Sequence, residues 1–340
     1  MKCCIVNAKG IDQLQLVERE TPHLHNARDV RVKVKACSLN YRDLMIARGE
    51  YFPNKGNESP FIPVSDFAGE VVEVGSEVTE WKVGDRVINH PFRKWPAGTL
   101  RLDWATTFIG VRGMEGILAE EVVYPSDALV AIPHYLSDVE ASTFPIAGLT
   151  AWSALVTHGR LLPGEWVLLE GTGGVSIFAA QLAHAMGAKT ILLTSSTEKA
   201  SLVKSKFLVH STLNYKQEDW PKKVKEITQG KGVDIIVDVA GGNTFTQALK
   251  VCNFSARVAV IGVLGGAQSS FDVADLLRKQ IKVQGIFMES AQELRALMRA
   301  AESLALKPCV DKVFPFNETQ AAYRYLESQK HIGKVVITLP

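Results

Sequence analysis

The stretch EWVLLEGTGGVSIFAAQLAHAMG (165–187) decides the fold of the second half of the chain. An apolar run, the glycine-rich GTGG (171–174) and a second apolar run follow one another, which predicts a strand, a tight turn and a helix. The spacing Gly171-x-Gly173-x-x-Ser176 is that of a dinucleotide-binding turn whose third glycine is serine. In such a turn the backbone approaches a pyrophosphate closely, and the first N–H groups of the helix face its charge. A plain glycine turn is the alternative interpretation.

The segments after this stretch repeat an alternation of strands and helices. Near-continuous apolar runs such as GVDIIVDVAGG (232–242) suit strands that are buried on both faces. The alternation predicts an α/β domain with a parallel, doubly wound sheet, and six strands fit two mononucleotide-binding halves. The predicted strands are 166–170, 190–194, 212–214, 233–239, 257–263 and 281–288. The predicted helices between them are 174–186, 197–208, 218–229, 243–251 and 272–278.

Short strands dominate residues 1 to 88, because VRVKVKA (30–36) and GEVVEVG (69–75) alternate in polarity between turn signals. This pattern predicts a small barrel or sandwich of the all-β kind. Residues 89–118 interrupt it with an irregular stretch, which forms either a pocket wall or a surface excursion. The residues after Met288 are expected to return to this first domain, because the six-stranded sheet is already complete.

The composition is that of a globular protein with a small ligand. A length of 340 residues and a hydrophobic content of 46% are enough for about two domains with substantial cores. The net charge of +2 gives no reason to expect binding to nucleic acid or to a membrane surface. The start MKCCIVNAKG has no h-region of signal-peptide length, and the five cysteines form no C-x-x-C pair. We therefore expect a cytoplasmic location and reduced thiols.

Several motifs in matching order resemble those of the medium-chain dehydrogenase/reductase superfamily, within it the zinc-independent quinone oxidoreductase-like or zinc-type alcohol dehydrogenase-like branch. The resemblance covers essentially the whole chain. It implies a GroES-like β-barrel domain of residues 1–127 and 289–340, with an inserted Rossmann domain of residues 128–288. The motifs are SLNYRDL (38–44), DFAGEVVEVGSEVTEWKVGDRV (66–87), TSSTEK (194–199), LNY (213–215), GVDIIVDVAGG (232–242) and HIGKVVI (331–337).

Zinc ligands are absent from the positions where that superfamily holds its catalytic metal. The motifs place Asn40 at the first cysteine, Ser65-Asp66 at the His-Glu pair and Ile146 near the third ligand. An amide, a hydroxyl and an alkyl group cannot form the usual nitrogen and sulfur shell. The four cysteines of a structural zinc are also missing from residues 89–118. The sequence therefore predicts no zinc.

The end of the second predicted strand favours NADPH. An NAD-selective Rossmann domain generally has an acidic residue there, whereas this strand ends in TSS (194–196). Hydroxyls of that segment and the ammonium of Lys199 fit a phosphate. A helix N-cap at Ser196 and a solvated Lys199 are the structural alternatives.

The resemblance extends this cofactor set. It implies that Tyr215 lies by the adenosine phosphate, that Thr150 lies near the nicotinamide, and that glycines after the fourth and fifth strands let the cofactor approach the backbone. Simple turns are the alternative for those glycines. The predicted cofactor-binding residues are Thr150, Gly171, Thr172, Gly173, Gly174, Val175, Ser195, Ser196, Lys199, Tyr215, Gly241 and Gly262.

Without zinc, hydrogen-bond donors must stabilise the charge that develops on the oxygen of the hydride acceptor. Asn40 offers an amide at the vacated metal position, and Tyr51, in ARGEYFP (47–53), resembles the proposed proton donor of related enoyl reductases. Asp43 is expected to orient its neighbours. These three residues are the predicted catalytic set, with loop stabilisation by Asn40 and pocket lining by Tyr51 as alternatives.

These expectations describe a zinc-independent, NADPH-dependent oxidoreductase that transfers hydride to a quinone or an α,β-unsaturated carbonyl. One alternative is an alcohol or aldehyde dehydrogenase of the same superfamily. Another is a non-catalytic NADPH-binding protein that senses redox state or binds RNA. The segment SSFDV (269–273) resembles the edge through which family members pair their Rossmann sheets, so we expect a homodimer.

Overall fold

A computed structural model describes residues 1–51 and 59–340 of the chain. In chain order, its strands are β1 (Lys2–Ile5), β2 (Gln15–Glu18), β3 (Asp29–Leu39), β4 (Phe67–Val74), β5 (Arg86–Asn89), β6 (Glu121–Pro125), β7 (Leu129–Ala131), β8 (Trp166–Glu170), β9 (Lys189–Thr194), β10 (Ser211–Asn214), β11 (Val233–Asp238), β12 (Cys252–Val260), β13 (Lys282–Gly285), β14 (Val310–Pro315) and β15 (Lys334–Thr338). Its α-helices are α1 (Tyr41–Arg48), α2 (Leu102–Ala105), α3 (Asp138–Ala141), α4 (Leu149–Trp152), α5 (Gly174–Ala185), α6 (Thr197–Phe207), α7 (Trp220–Ile227), α8 (Gly242–Lys250), α9 (Val273–Lys279), α10 (Ala291–Ser303) and α11 (Thr319–Glu327).

The chain divides into two compact units. The first comprises Met1–Leu149 with Glu289–Pro340, and the second comprises Thr150–Met288. Residues 128–149, which the sequence assigns to the Rossmann domain, group with the first unit. The reason is that β7 within this segment pairs with β5, with Ala131 opposite Val87. The predicted domain boundary after residue 127 stays a prediction.

The second unit has the predicted doubly wound sheet. Its strand order is β10-β9-β8-β11-β12-β13, and all neighbouring strands are parallel. The chain therefore starts in the middle at β8, runs outward to β10, and then resumes on the other side at β11. Leu168 is fully buried and lies opposite Ile191 and Ile236, as expected for a central strand covered on both faces. Ligands of such sheets bind beyond the carboxyl ends of the strands where the order reverses, which here is between β8 and β11.

The first unit is built around the long strand β3. The sheet has the order β14-β15-β3-β4-β5-β7, with β6 also paired to β3, and its pairs are antiparallel except β14 with β15. The apolar face of α10 is buried as its spacing indicates, with Leu294, Leu297, Met298 and Ala301 inside. Within the irregular stretch 89–118, Phe92 and Phe108 are buried and stack at 4.7 Å between ring centroids.

The strand register brings distant polar residues to one end of this sheet. Leu39 at the end of β3 lies opposite Val335, and Cys37 lies opposite Phe67 at the start of β4. The residues adjoining these pairs meet at the same sheet end; they are Asn40, Asp66 and Lys334. None of the helices in the described ranges combines the length and apolar character needed to cross a bilayer.

Candidate functional site

The turn between β8 and α5 has the predicted strand–turn–helix form. Gly171 has a φ of 73°, a left-handed conformation that glycine adopts without strain. A Cβ added to Gly171 or Gly173 would meet no described atom within 4 Å. The turn is therefore open where a pyrophosphate would lie, and the first N–H groups of α5 are suited to bind it. The geometry fits a dinucleotide.

Other predicted cofactor residues lie in the first turn of α5 and in α4. Gly174 and Val175 are half-buried in the first turn of α5, and Thr150 is buried in α4. Ser176, which replaces the third glycine, is buried and donates a hydrogen bond of 2.6 Å to the backbone carbonyl of Glu170. Its hydroxyl therefore ties α5 to the end of β8.

A cation and several hydroxyls gather at the carboxyl ends of β8 and β9. Lys199 Nζ donates to Thr172 Oγ1 at 3.4 Å. Ser196 is the N-cap of α6, where its Oγ accepts from the backbone N–H of Lys199 at 3.2 Å. Ser195 is exposed beside it, and the exposed Tyr215 donates its backbone N–H to the carbonyl at the end of β9. Capping by Ser196 leaves its hydroxyl able to donate to a phosphate.

Two buried carboxyl groups lie where the strand order reverses. Glu170 Oε2 accepts from the backbone N–H groups of Val239 and Ala240 at 3.2 and 3.1 Å. Asp238 Oδ1 accepts from those of Ala240 and Gly241 at 3.0 and 2.7 Å. Burial and the neighbouring Asp238 raise the pKa of Glu170 well above its usual range. The two carboxyl groups hold the loop after β11 through the backbone N–H groups of residues 239 to 241.

Close backbone contacts account for two of the predicted glycines. A Cβ on Gly241 would lie 2.7 Å from the carbonyl oxygen of Gly266, and one on Gly262 would lie 2.5 Å from that of Val239. Any larger side chain would separate the loops after β11 and β12. These contacts favour the interpretation as simple turns, and a contact of either glycine with a cofactor stays a prediction.

In the first unit, Asn40 lies between two charged groups. Its Nδ2 donates to Asp66 Oδ2 at 2.8 Å, and its Oδ1 accepts from Lys334 Nζ at 2.6 Å. The same ammonium donates to the carbonyl of Leu39 at 2.6 Å and lies 4.0 Å from Asp66 Oδ2. Both charged side chains are buried. The amide of Asn40 therefore bridges an ion pair.

Burial shifts the pKa values of the charged side chains near Asn40. It raises the pKa of Asp66 to about 7, against the effect of the nearby Lys334 cation. It lowers the pKa of Lys334 to about 8, against the effect of Asp66. It also raises the pKa of the fully buried Asp43, and the nearby Arg42 opposes that shift. In each case the opposite charge nearby counteracts part of the effect of burial on the pKa.

The predicted residues Asp43 and Tyr51 lie beside a half-buried arginine, Arg42. Asp43 Oδ2 accepts from the backbone N–H of Asn40 at 2.7 Å, which fixes the start of α1. The guanidinium of Arg42 lies 3.9 Å from Asp43 Oδ1, bonds to Ser65 Oγ, and lies 5.2 Å from the ring centroid of Tyr51. Tyr51 is half-buried against the core of the unit; residues 52 and 53 of its motif fall outside the described ranges.

These contacts do not fit a catalytic zinc. Asn40 and Ser65, at two of the ligand positions, bond to Lys334 and Arg42, and two cations repel a metal ion. Ile146 offers no donor atom. Across residues 1–51 and 59–340, no group of three or more His, Cys, Asp or Glu side chains is arranged to hold a metal.

Sequence reasoning missed Lys334, Glu170 and Asp238 as site residues, and it treated Asp66 only as a lost metal position. The sequence carried a signal for three of them. Lys334 is the first residue of the apolar strand KVVIT, and Glu170 and Asp238 are the last residues of the buried strands β8 and β11. Charged residues in such positions need a buried partner.

Two family models match the chain. The alcohol dehydrogenase GroES-like domain covers residues 26–134, and the zinc-binding dehydrogenase model covers residues 174–303. A zinc-type alcohol dehydrogenase-like protein of Schizosaccharomyces pombe is 36% identical over 97% of this chain and 96% of its own. Quinone oxidoreductase-like protein 2 of Bos taurus is 28% identical over 95% of this chain and 89% of its own.

A solved structure also matches the chain over its whole length. The crystal structure of a candidate alcohol dehydrogenase from Sinorhizobium meliloti 1021 superposes with a TM-score of 0.91 at 36% identity, over 99% of each chain. The match covers both units of the chain. The chain therefore belongs to the medium-chain dehydrogenase/reductase superfamily of oxidoreductases.

Proposed function

We propose that the protein is a zinc-independent, NADPH-dependent oxidoreductase that transfers hydride to a quinone or an α,β-unsaturated carbonyl. The observation that carries the proposal is the amide of Asn40, held between Lys334 and Asp66 at a position where zinc-dependent relatives have a metal ligand. A hydrogen-bond donor there suits acceptors whose developing negative charge is spread over a conjugated system.

The cofactor assignment rests on the second unit. β9 ends in Thr194 without an acidic residue, and the cation and hydroxyls of Lys199, Ser195 and Ser196 lie next to that end. These groups favour a ribose phosphate over free ribose hydroxyls. The bound nicotinamide would supply the hydride.

The residues of the chain then have separate tasks. The turn from Gly171 to Gly174 binds the pyrophosphate, and Lys199 selects the phosphorylated ribose. Asn40 donates to the acceptor oxygen, Tyr51 delivers a proton, and Asp43 fixes the backbone of Asn40 at the start of α1. Each of these tasks needs only donors and charges that the side chains possess.

A second copy of the chain is the proposed partner. β13 is an edge strand whose residues, Val283 among them, are all exposed, and the preceding helix α9 exposes Val273 and Leu277. Exposed edges of this kind pair readily with another strand. A Val283→Lys variant should be monomeric and elute later than the dimeric wild type in size-exclusion chromatography. Elution of both proteins at the volume of a monomer would show that the chain does not form the proposed dimer.

The proposed activity is tested by following NADPH oxidation with a quinone, an enone and an aldehyde as separate acceptors. We expect turnover of the quinone or the enone, and slower turnover with NADH. Turnover of the aldehyde alone would favour an alcohol dehydrogenase, as the name of the fission-yeast relative suggests. Binding of NADPH without turnover of any acceptor would favour a redox sensor. We also propose a cytoplasmic location, which cell fractionation tests.

A further inference from the structure

The amide of Asn40 has a defined orientation because of the chemistry of its two partners. An ammonium has only donors, so the amide atom that faces Lys334 has to be the carbonyl oxygen. Asp66 Oδ2 is the acceptor of its contact with Asn40, so the atom that faces it has to be the amide nitrogen. A flipped amide would direct N–H groups at the cation and an oxygen at the anion.

This arrangement is built into the fold. Lys334 opens β15, which is antiparallel to β3, so its ammonium reaches Asn40 across 294 positions of the chain. Asp66 directly precedes β4, and its backbone carbonyl accepts from the N–H of Ser38 at 3.1 Å. Because both side chains are buried, each lacks the solvent that would otherwise stabilise its charge. The amide of Asn40 hydrogen-bonds to both side chains, which also lie 4.0 Å from each other.

We propose that Lys334 and Asp66 are positioning residues that hold the Asn40 amide with its second N–H directed to the acceptor oxygen. The inference rests on the proposed function. Asp66 takes one amide hydrogen, and the other is the donor to the substrate. The Lys334 cation polarises the amide carbonyl, which makes the remaining N–H a stronger donor. The chain thus replaces a metal with an oriented amide.

Three substitutions separate this role from plain packing. Lys334→Met keeps most of the side-chain length but removes the donors, so the amide orientation is no longer specified. Lys334→Arg retains a cation with donors only and should rescue the orientation. Asp66→Asn replaces an acceptor by a group that both donates and accepts, and provides a second test if Lys334→Met fails to fold. Lys330→Met, at an exposed lysine nearby, is the control.

The direct readout is the side-chain amide signal of Asn40 in ¹H–¹⁵N NMR spectra of the deuterated full chain. Its pair of peaks is identified by its loss in Asn40→Ser. We expect widely separated proton shifts in the wild type, because one hydrogen bonds to a carboxylate. The separation should shrink in Lys334→Met and Asp66→Asn and persist in Lys334→Arg and Lys330→Met.

Activity gives the second readout. With the acceptor that the wild type reduces, kcat should fall about 100-fold in Lys334→Met while the NADPH Kd stays unchanged, and Lys334→Arg should recover most of the loss. An ordinary wild-type separation, or an unchanged separation in folded Lys334→Met, would overturn the inference. If the peaks respond as expected but the wild type reduces no acceptor, the positioning stands and the proposed function fails.

Discussion

The ammonium of Lys199, in the first turn of α6, donates to the hydroxyl of Thr172 in the turn after β8 at 3.4 Å. This contact joins the ends of two neighbouring strands through a cation. A phosphate on the adenosine ribose would meet that cation together with the hydroxyls of Ser195 and Ser196, whereas a free ribose hydroxyl would gain little from it.

Lys199→Ala should therefore weaken NADPH binding far more than NADH binding. A hydrogen bond to a charged group contributes about 1.5–3 kcal/mol, which corresponds to about a 10- to 100-fold increase in the NADPH Kd. Fluorescence titration with both cofactors measures the two changes. Lys204→Ala, at an exposed lysine of the same helix, is the matched control. Equal losses for NADPH and NADH would show that Lys199 does not hold the phosphate.

Local sequence patterns predicted the second unit closely. The predicted strand 233–239 corresponds to Val233–Asp238. A short, nearly continuous apolar run between glycines is typical of a strand that is buried on both faces. The start of β12 was missed because Cys252–Ala256 is not a continuous apolar run and pairs with β11 through an irregular register. β13 is shorter than predicted, because the apolar residues after Gly285 continue beyond the sheet.

The site was less predictable than the fold. The N-cap at Ser196 was among the sequence expectations because capping depends on local spacing, whereas Asn40 was named from its position in a family motif. The contact of Lys334 with Asn40 depends instead on the register of β15 against β3, and no local pattern specifies that register.

Glu170→Gln should change how stability depends on pH. The folded pKa of Glu170 is raised above its usual value of 4.5, so the folded state holds a proton that the unfolded chain releases. The contribution of this proton to the free energy of unfolding is fully present below pH 4.5, and it is lost as the pH rises through the raised pKa of the folded state. Glutamine keeps a donor toward Asp238 at every pH.

The melting temperature, measured between about pH 5 and about pH 8, checks this. The melting temperature of Glu170→Gln should increase relative to that of the wild type as the pH rises. The melting temperature of Glu198→Gln, at an exposed position, should change with pH as that of the wild type does. A constant difference between Glu170→Gln and the wild type across the range would mean that Glu170 holds no extra proton.

Asn40→Ser and Tyr51→Phe should distinguish the two predicted donors. Phenylalanine preserves the ring beside Arg42, so Tyr51→Phe should change the melting temperature little. Asn40→Ser removes the amide that bonds to the buried Lys334 and Asp66, so its melting temperature should fall, and kcat is compared on the folded variant. Loss of the amide donor should lower kcat about 100-fold. Tyr51→Phe should lower kcat less, because a solvent proton can replace its contribution. Steady-state kinetics with the best acceptor measure both losses in kcat. A larger loss in Tyr51→Phe than in Asn40→Ser would make Tyr51 the principal donor.

We propose that hydride passes from NADPH to a conjugated acceptor without a metal. The most direct test of this proposal is kcat/KM for a quinone, an enone and an aldehyde, measured on protein treated with a strong chelator and checked for zinc by elemental analysis. We predict unchanged NADPH-dependent reduction of the quinone or enone by zinc-free protein. Loss of activity on chelation, restored by added zinc and strongest with the aldehyde, would contradict the account.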